Sequence, residues 1–132
     1  MPALNHLKLL TSLAQIDGVV AARERNYIIN IGRAHGIYPD QIEALFERSH
    51  NIVLPRDLSA DEKFSYLLSM VQLMKIDERM YKEELIFCRT IANTLGYETQ
   101  ALAELLVRVT PHEMSDDDTN ELKRLVQNYL KP

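Results

Sequence analysis

The sequence predicts an all-α fold, a compact bundle of about seven helices formed by a duplicated helical hairpin. Three observations carry that reading. Residues 10–37 and 70–97 align without a gap: Leu13, Ile16, Asp17, Glu24, Ile31 and Gly36 fall on Leu73, Ile76, Asp77, Glu84, Ile91 and Gly96, sixty positions further on. Apolar residues recur at steps of three and four, the spacing that gathers them on one face of a helix. No segment alternates polar and apolar residues as a half-buried strand does. The composition of the 132 residues, 46% hydrophobic and 26% charged with four glycines, is that of a globular chain and excludes a disordered one. A single domain over 1–132 is expected, with a first half at about 2–48, a connector at 49–58 and a second half at about 59–130.

The first helix is expected over about 2–16, because Pro2 suits a first turn and Leu4, Leu7, Leu10, Leu13 and Ile16 form one stripe. Asp17-Gly18 ends it, Gly18 being able to take a left-handed conformation. A second helix over about 21–35 buries Ile28, Ile31, Tyr27 and Ala34 and stops at Gly36. Pro39 opens a short third helix with Ile42, Leu45 and Phe46 inward. Pro55 breaks the connector, whose Ile52, Val53 and Leu54 are expected to lie down on the core. Ser59 and Glu62 have the spacing of a capping box, in which each satisfies a backbone N–H of the other's residue. The fourth helix carries Phe64, Leu67, Leu68, Val71 and Met74, and the fifth, over about 82–95, carries Leu85, Cys88, Ile91 and Leu95. Gly96 closes the fifth, and a sixth follows with Leu102, Leu105, Leu106 and Val109. After the Thr110-Pro111 break, Ser115 starts a last helix with Leu122, Leu125, Val126 and Tyr129.

The formal charge is −4, and neither half is basic: seven basic residues face eight acidic ones in 1–66, and eight face eleven in 67–132. A nucleic-acid partner therefore has no electrostatic footprint. Cys88 is the only cysteine, so no internal disulfide can form, and no run is long enough for a signal peptide or a transmembrane segment. A cytoplasmic setting is the default expectation.

Around the paired acids the chain resembles the tellurite-resistance TerB-like family, which is itself similar to the membrane-proximal helical domain of a DnaJ-type co-chaperone. The first copy carries Ala14, Asp17, Gly18, Val20 and Glu24 and ends at His35-Gly36; the second carries Met74, Asp77, Met80 and Glu84 and ends at Leu95-Gly96. The resemblance covers nearly the whole chain. It implies an all-helical bundle whose halves are related by a pseudo-twofold axis. It also implies an acidic site proposed to bind metal, in proteins tied to stress, tellurite or phage resistance. Two positions depart from the pattern: Glu78 stands where Gly18 does in the first copy, and Ala21 and Tyr81 replace a small polar residue three before the Glu.

Asp17, Glu24, Asp77 and Glu84 are the candidate metal ligands. Oxygen donors of this kind suit a weakly held Ca²⁺, Mg²⁺ or Mn²⁺ rather than zinc or copper. The same spacing serves a turn and a helix cap with no ion, since an Asp before a helix accepts backbone N–H bonds and a Glu at its third position reaches back. Both readings stand at this point. Asp116, Asp117 and Asp118 read as residues suited to a positive helix N-terminus. The histidines His6, His35, His50 and His112 are scattered and read as surface or helix-end residues; Cys88 reads as a buried, inert thiol. No nucleophile–base pair is visible, so a non-enzymatic module is expected. It is either a TerB-like stress module with an acidic site or a protein-interaction domain, and in both cases a protein partner is expected.

Overall fold

The computed structural model describes residues 2–16, 18–50, 52–76, 82–110 and 114–131. Among the described residues there are seven α-helices and no strand: α1 (Pro2–Ala14), α2 (Ala22–Ala34), α3 (Pro39–Leu45), α4 (Ala60–Ile76), α5 (Lys82–Leu95), α6 (Thr99–Arg108) and α7 (Asp116–Gln127). The fold is all-α, as the periodicity required. None of these helices is long and apolar enough to cross a membrane. The chain forms two compact units, Met1–Arg56 and Asp57–Pro132.

In the N-terminal unit α1, α2 and α3 all contact one another. The three-residue leucine stripe of α1 sends Leu7, Leu10 and Leu13 into the core with Leu9, where they meet Ile28 of α2 and Ile42 of α3. Each such side chain contributes about 1.5–3 kcal/mol when fully buried. Gly32 lets α2 come close to both neighbours: a Cβ there would lie 2.5 Å from Ile42 Cδ1 and 3.1 Å from Leu7 Cδ1. At the edge of this unit Arg25 forms an ion pair with Glu43 and lies 4.4 Å from the centroid of the Phe46 ring. Gln15 Nε2 donates to the Phe46 carbonyl at 3.0 Å, tying the end of α1 to the end of α3.

The C-terminal unit repeats that arrangement with α4, α5 and α6 and adds α7, which contacts α6. The Ser59 capping box forms as expected: Ser59 N–H donates to Glu62 Oε1 at 3.0 Å, and Glu62 N–H donates to Ser59 Oγ at 3.1 Å. Ser115 Oγ accepts from Asp118 N–H at 3.1 Å and so starts α7. Beyond α7 the chain returns to the α5–α6 turn, where Glu98 N–H donates to the Tyr129 carbonyl and Lys131 N–H to the Gly96 carbonyl, at 2.8 and 2.7 Å.

Local geometry recurs sixty residues apart. Gly36 and Gly96 have φ of +79° and +100°, the left-handed region in which a residue without Cβ is unstrained. At both, the glycine N–H bonds three residues back and the next N–H five back: Ile37 to Gly32 at 3.0 Å, Tyr97 to Ala92 at 2.9 Å. This is the Schellman ending, and the residue that follows each glycine, Ile37 or Tyr97, is buried against its own unit. Burial matches along the helices too, with Leu7, Leu10, Leu13, Ile28, Ile42 and Leu45 and their partners Leu67, Met70, Leu73, Cys88, Leu102 and Leu105 all in the cores.

Three expectations are corrected. His6 is not a surface residue: it sits at 5% exposure in the N-terminal core, because position 6 falls inside the α1 stripe. Val53 is exposed at 62%: the connector has no regular structure that would turn three consecutive apolar side chains to the core together, and Ile52 and Leu54 are only half-buried. Ala34 is also exposed, lying on the outer face of the last turn of α2.

Candidate functional site

Of the four predicted ligands, Asp17 and Asp77 lie outside the described residues, as do Glu78 and His112. Glu24 and Glu84 are described, and each occupies the third position of its helix, α2 or α5. Both are 5% exposed, which is rare for a carboxylate. The sequence placed them at helix starts; it gave no sign that they would be buried. Burial follows from register, because α2 must turn Glu24 inward to keep Ile28 and Gly32, one and two turns on, against α1 and α3.

A buried carboxylate is tolerated where N–H groups and a helix N-terminus face it. Glu24 Oε1 accepts the Ala21 N–H at 3.2 Å. Ala21 has no side-chain acceptor, so only the Glu half of a reciprocal cap can form there. Glu84 lies one turn before Cys88, whose Sγ is 3.5 Å from Met74 Sδ. Burial, helped by the Glu84 charge, pushes the Cys88 thiol up to about 12, which keeps it protonated and unreactive. Glu24 belongs to the N-terminal unit and Glu84 to the C-terminal one. Among the described residues no three His, Cys, Asp or Glu side chains are grouped so as to hold a metal ion.

The sequence reading passed over two further features. His6 and His35 meet edge to face, their ring centroids 6.4 Å apart, although they are twenty-nine residues apart in the chain. Burial first, and the neighbouring His35 second, lower the His6 pKa to about 4. The second is a groove of about 400 Å³ lined from α1, α3 and the loops beside α3. Its wall is formed by Leu4, Ile37, Ala44 and Leu45, with Lys8 and Arg48 at its edge. His50 also lines it and donates from Nε2 to the Leu45 carbonyl at 2.8 Å. Among the described residues no acidic side chain lines the groove. The available signal was a mismatch sixty residues apart: Lys8 and Gln41 stand where the second half has Leu68 and Ala101.

Against known proteins, no family model, no curated protein and no solved structure matches the chain.

Proposed function

We propose that this chain is a non-catalytic helical interaction module of TerB-like type, its two halves descended from one duplicated hairpin. Glu24 and Glu84 act as internal braces at the start of the second helix of each copy. The observation that carries this reading is the Glu24 carboxylate, turned inward and bonded to the Ala21 backbone N–H, with Glu84 equally buried at the matching position. A side chain so engaged shapes its helix pair and leaves recognition to the outer surfaces. The shared Schellman endings and matched burial support the duplication. A cytoplasmic location and a role in stress or tellurite resistance belong to the same proposal and follow from the resemblance alone.

A second reading keeps a divalent cation near these carboxylates, and the burial of two acids at matching positions favours it. Calorimetric melting in millimolar Ca²⁺, Mg²⁺ and Mn²⁺ separates the two, because an ion that binds only the folded state raises Tm. The interaction reading expects no ion-dependent shift, and expects Glu24→Ala to cost about 1–2 kcal/mol with or without ion. A Tm that rises with one ion in the parent, and stays flat in the Asp17→Ala plus Asp77→Ala variant, overturns it in favour of the metal.

A further inference from the structure

Position by position, the groove of the N-terminal unit has a counterpart sixty residues on. Leu4, Lys8, Ile37, Gln41, Leu45 and Arg48 answer to Phe64, Leu68, Tyr97, Ala101, Leu105 and Arg108. In the C-terminal unit that place is taken. Helix α7 contacts α6, and Lys123 of α7 forms an ion pair with Asp61 in the first turn of α4, so α7 reaches both helices that would flank a groove. Its Leu122 and Leu125 line a seam with Arg108 and Thr110, and Leu130 beyond it pairs with Tyr97. Ala101 is fully buried, whereas Gln41, its counterpart, is exposed; Leu105 and its counterpart Leu45 are both buried. Among the described residues the N-terminal unit, Met1–Arg56, has no helix equivalent to α7.

The N-terminal groove also differs from its counterpart in charge: Ala44 stands where the second half has Glu104, which pairs with Arg108. Lys8 replaces a leucine, and Lys8, Arg48 and His50 line the groove with no carboxylate among them. The ion pairs of the described residues are Arg25–Glu43, Arg108–Glu104 and Lys123–Asp61, so neither Lys8 nor Arg48 is engaged in one. An apolar floor between two helices with a basic edge suits an amphipathic helix that carries acids beside its apolar stripe.

From the seat that α7 takes in the second copy and the basic edge of the first, we infer that the α1–α3 groove is the docking site for an acidic amphipathic helix of a partner protein. The inference rests on the interaction reading above and names the class of partner. The incoming helix lays leucine-like side chains over Leu4, Ile37 and Leu45, and its carboxylates meet Lys8 and Arg48. Helix α7 shows the type: Leu122, Leu125 and Val126 on one face, and Asp116, Asp117 and Asp118 at its start.

The test uses the full chain and, as probe, a fluorescent synthetic amphipathic peptide of residues 114–131, whose four acids Asp116, Asp117, Asp118 and Glu121 precede its three basic residues. The tethered α7 keeps its own seat, because a linked segment acts at a millimolar effective concentration. Binding is expected in the micromolar range at low salt, with amide shifts centred on Leu4, Ile37 and Ala44. The double reversal Lys8→Glu plus Arg48→Glu is expected to weaken it at least tenfold while circular dichroism stays unchanged, and Lys8→Ala plus Arg48→Ala is expected to weaken it less. No binding at millimolar peptide, binding that survives the reversal, or shifts confined to residues 57–131 each overturns the assignment. A solution dimer that the reversal dissociates gives the groove to a second copy and overturns it as well. If the peptide fails to bind while melting stays indifferent to divalent ions, only the groove assignment falls. Ion-dependent melting strikes the interaction reading itself.

Discussion

His6 has two properties that the residue type does not announce: it is buried, and its proton is harder to add in the folded chain than in the unfolded one. Burial, then His35, hold its pKa at about 4 against the ordinary 6.5, so between those values the unfolded state binds more protons. The sign follows: the contribution of neutral His6 to the stability of the N-terminal unit is fully present above pH 6.5, is lost as pH falls, and has fallen by up to about 3 kcal/mol near pH 4. Replacing His6 with Tyr, the residue at the matching position 66, is expected to flatten that dependence in denaturant titrations across this pH range. Gly32 supplies a second test at this scale. Alanine gains about 1 kcal/mol of helix propensity, but its Cβ meets Ile42 Cδ1 at 2.5 Å and Cγ1 at 2.9 Å. Overpacking of this kind costs about 1–3 kcal/mol, so Gly32→Ala is expected to be a net loss of about 1 kcal/mol. Adding Ile42→Val removes the offending Cδ1, and the double variant is expected to be more stable than the sum of the two single changes by about 1 kcal/mol.

Among the described residues α7 has no counterpart in the first half. Leu122 and Val126 are buried, yet its mean composition is polar, so it owes its place to α6, the Lys123–Asp61 pair and the return of residues 129–131 to the α5–α6 turn. Ending the chain after Glu113 is therefore expected to lower the melting temperature of the C-terminal unit and to raise binding of an apolar dye, since the surface over Ala101 and Leu105 opens. Peptide 114–131 added in trans is expected to restore both. Unchanged melting in the truncated chain would show that α7 does not cover that surface. At this scale the sequence was legible: each helix starts or ends within two residues of the place its caps and glycines indicated, apart from those bordering undescribed residues. Ser59, Ser115, Gly36 and Gly96 act locally, through bonds to N–H or carbonyl groups at most five residues away, and local rules suffice to read them.

At the scale of the whole chain there are two compact units, in each of which three helices contact one another, and α7 is added to the second. The histidine contact belongs to the first unit; the second has Tyr66 and Leu95 at the matching positions. Hydrogen exchange on the intact protein is thus expected to show amides of α1 and α2 losing protection between pH 6.5 and 4, while those of α4 and α5 keep theirs. Equal loss in both units would place the acid sensitivity elsewhere than His6. The sequence by itself determined the helices, their ends and the sixty-residue correspondence, because these depend on neighbours within a few positions and on a period that needs no coordinates to count. Only the tertiary structure decided that Glu24, Glu84 and His6 are inside, and that Lys8 and Arg48 line a groove with Leu4, Ile37 and Leu45. Those outcomes depend on which helix faces press together, and the pressing surfaces come from residues far apart in the chain.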